Sequence, residues 1–186
     1  MSIDEGKVIE AVKGGDSHAF KGLVDLYKDM VYTLCLRMVK NNMLAEELAQ
    51  DSFLKAYKKI DTYRAESKFS TWLYRIAYNT CLSSFRKKSF SEVELMDDHH
   101  QSVGNTGLLE LEIEDRNQSL KTVLMQLSSD EQVLIQLFYL EELSVKEIAD
   151  ITGLSDSNIK VKLHRSKQKL REIIVEEHSD LRRNSA

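Results

Sequence analysis

The stretch LSVKEIADITGLSDSNIKVKLHRSKQKLREII, Leu143 to Ile174, carries the pattern from which the fold is read. Ser144 is placed to cap a first helix, and Glu147, three residues on, to reach back and close a capping box. Ile148, Ala149 and Ile151 supply its apolar side. Thr152-Gly153-Leu154 predicts a tight turn, because Gly153 can take the positive φ that ends a helix. Ser155 or Asp156 opens the second helix, whose apolar stripe is Ile159, Leu163, Ser166 and Leu170. Lys160, Lys162, His164, Arg165, Lys167, Lys169 and Arg171 crowd its remaining surface. Helix, short Gly-containing turn and basic helix is the sequence form of a helix-turn-helix, whose second helix fits the major groove of DNA. The competing reading is a solvated helical hairpin with ordinary surface lysines.

Outward from this motif, the chain of 186 residues allows one medium domain or two small ones. With 42% hydrophobic and 30% charged residues and no proline, the composition fits a soluble all-α protein. No apolar run approaches the ~20 residues needed to span a bilayer. The opening MSIDEGKVIEAVKGGD lacks the basic-then-apolar form of a secretory signal, so a cytoplasmic location is expected. The net charge of −4 conceals a strong polarity. Glu92, Glu94, Asp97, Asp98, Glu110, Glu112, Glu114 and Asp115 face only Arg116 between Ser89 and Gln118, while cations gather in Arg86-Lys87-Lys88 and the final helix. Cys35 and Cys81 each sit in an apolar helical pattern and read as buried free thiols. A redox switch between them would need a proximity that spacing does not reveal. His99-His100 has no nearby Cys pair or spaced third ligand, so neither a metal site nor a cofactor is expected.

The expected fold class is all-α: two compact helical domains joined by a flexible acidic linker, with the helix-turn-helix in the second. Residues 1–90 form the first. Asp16 is read as the cap of a long helix with the stripe Phe20, Leu23, Val24, Tyr27, Val31, Leu34, Cys35 and Met38. After Asn41-Asn42 a second helix runs through AEELAQDSFLKAYKKI, and a third starts near Ser70, with a break expected near Asn79. Residues 91–118, with Gly104-Asn105-Thr106-Gly107, read as the linker. Residues 119–178 predict four helices, with a second capping box at Ser128 and Glu131. Residues 179–186 read as a frayed polar tail.

The segment FSTWLYRIAYNTCLSSFRKK, Phe69 to Lys88, interleaves aromatic and basic residues. On a helix, Leu73, Ile76, Ala77 and Thr80 face the core, leaving Trp72, Arg75, Asn79 and Arg86 on another face. Aromatic rings are platforms for unstacked bases, Asn pairs with base edges, and Arg or Lys neutralises phosphate. Aromatic residues at helical spacing are also the usual furniture of a core, so this mixture alone does not establish nucleic-acid contact. Nearby, Glu46, Glu47, Gln50 and Asp51 form a water-facing acidic helix surface, ordinary in itself or a dock for a basic protein.

GGDSHAFKGLVDLYKDMVY, AEELAQDSFLKAY, FSTWLYRIAYNT and the Leu143–Leu170 motif, in this order, resemble an extracytoplasmic-function (ECF) sigma factor of the bacterial sigma-70 family. The resemblance implies a non-enzymatic subunit that binds core RNA polymerase, selects promoters and helps open the DNA. It assigns Glu46, Glu47, Gln50 and Asp51 to the clamp helices of the polymerase largest subunit. Trp72, Arg75, Asn79, Arg86, Lys87 and Lys88 go to the minus-ten element, with Asn79 on a loop that captures a flipped base. Lys160, Lys162, His164, Arg165 and Lys167 go to the minus-thirty-five element. It further implies a linker threading the RNA exit channel and regulation by an anti-sigma factor, membrane-linked in this reading. Three positions depart from the family pattern. Ser83 stands for a usual Asp, Asn158-Ile159-Lys160-Val161 for Thr-Val-Lys-Ser, and Glu142 for a common Gly. The alternatives are a conventional helix-turn-helix regulator that binds duplex DNA without polymerase, and an adaptor that binds only proteins.

Overall fold

A computed structural model of the chain describes residues 4–92 and 126–184, with side chains described for 4–86 and 126–175. The two stretches lie in different compact units. Among the described residues every regular element is helical, as the absence of proline and the periodicity predict. Residues 93–125, which hold most of the expected linker and His99-His100, lie outside the described residues, as do 1–3 and 185–186.

The N-terminal unit contains α1 (Glu5–Lys13), α2 (Phe20–Val39), α3 (Asn42–Lys58), a single 3₁₀ turn (Ile60–Thr62) and α4 (Phe69–Glu92). Its core is the meeting of α2, α3 and α4 around Leu23, Leu34, Ala56, Leu73 and Tyr74, each essentially sealed from water. The α2 stripe read from the sequence is the buried one, with Val24 and Tyr27 half-buried at its edge. Asp16 does not cap α2 itself. Its carboxylate accepts from the His18 and Ala19 backbone N–H groups at 3.0 and 3.2 Å, capping a turn over 17–19 that leads into α2 through i to i+3 bonds. Asn41 does cap α3, accepting from the Leu44 N–H at 2.9 Å.

The expected break near Asn79 is absent, and α4 runs unbroken. Asn79 is therefore on a helix rather than a loop. No Gly or Pro interrupts the segment, and its polar side chains bond back onto their own helix. Asn79 Nδ2 donates to the Arg75 carbonyl (2.8 Å), Thr80 to that of Ile76 (2.9 Å) and Ser83 to that of Asn79 (2.8 Å). Cys35 on α2 and Cys81 on α4 are both fully buried free thiols, as expected, and they meet through a side-chain hydrogen bond. The hydrogen bond that Cys35 donates to Cys81, together with burial, pushes the Cys35 thiol upward, so it stays protonated.

The C-terminal unit contains α5 (Ser129–Ile135), a wide π-type turn (Gln136–Leu140), α6 (Val145–Thr152) and α7 (Asp156–Asn184). Both expected capping boxes are present, Ser128 with Glu131 and Ser144 with Glu147. Gly153 closes α6 at φ +73°, and a Cβ there would meet nothing within 4 Å, so backbone conformation rather than space selects glycine. Ser155 opens α7 by accepting from the Asn158 N–H at 3.4 Å. The backbone of α7 continues to Asn184, past residue 178 where a tail was expected, because neither Gly nor Pro stops it.

Glu142, just before α6, has φ +52°. A left-handed residue with a Cβ costs about 1–2 kcal/mol, against about 0.5–1 kcal/mol for the extra freedom glycine loses on folding. Glu142→Gly is therefore expected to stabilise the C-terminal unit by roughly 0.5–1 kcal/mol. A thermal melt followed by circular dichroism checks this, and a lowered midpoint would contradict it.

Candidate nucleic-acid interface

In the N-terminal unit, α3 and α4 enclose an open groove of about 490 Å³. Trp72, Arg75 and Asn79, three of the residues read from the sequence, line it together. Their spacing along α4 puts them on one face, and exposed Arg86 continues that face two turns beyond Asn79. Lys87 and Lys88 lie within α4, but their side chains are outside the described residues.

Trp72 is half-buried, held at 5.5 Å from the Tyr63 ring and 5.3 Å from Phe69. Phe69 in turn touches Tyr27 at 5.6 Å, and Tyr27 donates its hydroxyl to Glu5 on α1. Burial, then that carboxylate, push the Tyr27 hydroxyl upward, so it remains a donor. Lys13 sits 5.9 Å from the centre of the Tyr63 ring. The aromatic cluster is thus partly core, as its spacing allows, and it fixes one ring at the groove wall.

The groove also contains Lys55, Lys59 and Thr62 from the end of α3 and the turn after it, none of which sequence reading singled out. The signal was present in KAYKKIDT, but only the packing of α3 on α4 turns Lys55 and Lys59 towards Arg75. Lys55 donates to Thr80 at 3.3 Å and pairs with Asp51 at 3.5 Å. The result is three cations, one ring and one carboxamide around a single opening, a set suited to a phosphate backbone with unstacked bases.

On the outer face of α3, Glu46, Glu47, Gln50 and Asp51 are all exposed. Met43, 81% exposed, and Leu54, 58% exposed, stand at either end of this patch. Asp51 lies at its boundary, drawn towards Lys55.

In the C-terminal unit, Ile159, Leu163, Ser166 and Ile173 form the buried side of α7, with Leu170 half-buried. Lys160, His164, Arg165 and Lys167 point to solvent, as do Ser157, Gln168 and Arg171, which the sequence reading did not rank as contacts. Lys162 takes a different position. It turns to α5 and pairs with Asp130 at 3.2 Å, while Lys169 pairs with Glu131 at 3.6 Å. These two bridges brace α7 against α5. Burial opposes the charge on Glu131, but the Ser128 backbone and hydroxyl donors and Lys169 outweigh it and hold the carboxyl below its usual range.

Two family models match the chain: Sigma-70 region 2 over residues 23–90 and Sigma-70, region 4 over residues 117–170. The ECF RNA polymerase sigma factor SigW of Bacillus subtilis is 36% identical over 176 residues, covering 89% of this chain and 94% of that protein. The chain belongs to the ECF sigma factors of the sigma-70 family. The ECF RNA polymerase sigma-E factor of Haemophilus influenzae is 32% identical over 172 residues, covering 87% of this chain and 90% of that one. Among solved structures, the sigma factor RpoE of Bartonella quintana, in complex with the anti-sigma factor NepR, matches with a TM-score of 0.64 and 25% identity. That match covers 83% of this chain and 96% of RpoE.

The groove lies within the region 2 match and the helix-turn-helix within region 4. A conventional helix-turn-helix regulator would not explain the first of these. A sigma factor is an initiation factor and not an enzyme. Among the described residues no helix is long and apolar enough to cross a membrane.

Proposed function

We propose that this sigma factor joins core RNA polymerase through the outer face of α3 and grips promoter DNA at two places. The observation that carries the proposal is the single groove shared by Trp72, Arg75, Asn79, Lys55 and Lys59. Opening a minus-ten element costs a few kcal/mol per unstacked base. Trp72 offers a stacking surface, the cations neutralise the displaced strand, and Asn79 pairs with an extruded base edge. For this, Asn79 exchanges its bond to the Arg75 carbonyl for one to the base.

The second grip is α7, whose outward cations hold the duplex of the minus-thirty-five element while its central side chains read bases. Glu46, Glu47, Gln50 and Asp51, framed by Met43 and Leu54, suit a polymerase surface that is basic with apolar pockets. Residues 1–90 and 119–178 would act as the two binding domains, with the acidic 91–118 segment between them. Acting with polymerase on the chromosome, the protein would work in the cytoplasm. Regulation by an anti-sigma factor is supported by the Bartonella quintana RpoE complex.

Run-off transcription with core polymerase on genomic fragments tests the whole reading, since only added sigma factor should yield discrete starts. Asn79→Ala is expected to lower open-complex formation about 5- to 100-fold, the value of a base-edge pair, with polymerase binding unchanged. Alanine is the better helix former, so a defect would not arise from unfolding of α4. Unchanged strand opening, read by permanganate reactivity of exposed thymines, would remove Asn79 from this role.

A further inference from the structure

Val161 is an exposed apolar residue near the start of α7. With the buried stripe Ile159, Leu163, Ser166 and Ile173 taken as one side of α7, a 3.6-residue period puts Ser157, Val161 and Gln168 along the opposite line. Lys160 and Lys167 lie to one side of that line and Arg165 to the other, all exposed. Val161 is 48% exposed, in the second turn of the helix and among these cations, whereas the other exposed apolar residues described on α7, Ile174 and Val175, lie more than three turns further on. A β-branched residue at a water-facing helix position sacrifices helix propensity and gains no core packing in return.

Its place gives it a use. When such a helix enters the major groove, its N-terminal turns approach the base edges, and residues flanking the central line reach phosphates on the groove walls. A valine side chain has no donor or acceptor, so it cannot read the polar pattern of any base pair. The apolar feature of the major-groove floor is the thymine C5-methyl group. We infer that Val161 is a specificity-determining residue that selects a thymine, by methyl contact, in the upstream duplex bound by α7. The inference rests on the proposed duplex reading by α7 and adds the base chemistry read at one position.

The test uses the full-length chain assembled with core polymerase and an unmethylated synthetic pool of duplexes with randomised upstream sequence. Duplexes selected by the wild-type protein are resynthesised with each upstream thymine replaced singly by deoxyuridine, which deletes only the methyl group. One position is expected to show binding weakened about three- to fivefold, the value of one buried methyl group. Val161→Ala should bind the thymine duplex more weakly by a similar factor and lose its discrimination between thymine and uracil at that position alone. Its salt dependence should match the wild type, because no phosphate contact is removed. If no thymine is methyl-sensitive, or if Val161→Ala keeps the full thymine-to-uracil ratio, the inference is overturned while duplex reading by α7 stands. If the wild-type holoenzyme enriches no upstream sequence at all, the duplex-reading function itself fails and the inference with it.

Discussion

Phe69→Ala is expected to remove about 3–5 kcal/mol from the stability of the N-terminal unit, the cost of emptying a large aromatic site in a packed core. Phe69 is 1% exposed at the start of α4, where it contacts Tyr27, Tyr63 and Trp72. The cavity would therefore loosen α2, the 3₁₀ turn and the groove wall together. Trp72 is the single tryptophan of the chain, so urea unfolding followed by its fluorescence reports on this unit. The midpoint should fall by roughly 2 M, whereas the part of the helical signal that belongs to the C-terminal unit should unfold where it does in the parent. Phe69→Leu should recover much of the loss, because it keeps apolar volume at the site. A midpoint within error of the parent would show that the aromatic cluster is not the keystone of this unit.

The triple change Lys160→Ala, Arg165→Ala and Lys167→Ala is expected to abolish most upstream duplex affinity. Each neutralised phosphate contributes about 0.9 to the slope of log K against log salt, so losing three should make the slope shallower by about 2 to 3. All three side chains are exposed on α7, and alanine is a strong helix former, so the fold should survive. Lys162→Ala is the informative control. Lys162 is engaged by Asp130 at 3.2 Å, so its removal should leave the slope nearly unchanged and cost at most about 1 kcal/mol of stability, the value of a partly exposed bridge. Duplex binding titrated between low and moderate salt separates the cases. A triple variant with the parent slope would show that α7 does not lie along the phosphates.

How far the site was legible follows from what each residue needed. The helix-turn-helix could be read in full because its signals are local: both serines of the capping boxes, Gly153 and the apolar stripe of α7 act within a few residues of themselves. The grouping of Trp72, Arg75 and Asn79 was legible for the same reason, since one helical face carries all three. Lys55 and Lys59 were not, because their membership in the groove depends on how α3 crosses α4. The ion pair of Lys162 was not legible either, on similar grounds. In sequence Lys162 is one cation among seven, and only the position of Asp130 on α5 tells it apart from Arg165. The continuity of α4 through Asn79 was missed because polar side chains near a helix middle signal a break, while here they satisfy carbonyls of their own turn.

What the sequence by itself determined is therefore everything that short-range chemistry decides: the helical class, the caps, the buried stripes and the basic character of the last helix. Hydrophobic periodicity and capping act over one or two turns and need no partner to be recognised. Tertiary structure alone decided which charges remain available and which are spent on packing. It also decided that Cys35 meets Cys81, and that a tryptophan wedged against Tyr63 and Phe69 forms a wall rather than a core. Those outcomes depend on where a second helix passes, and the contact between two helices is carried by the three-dimensional arrangement of both faces rather than by either segment alone.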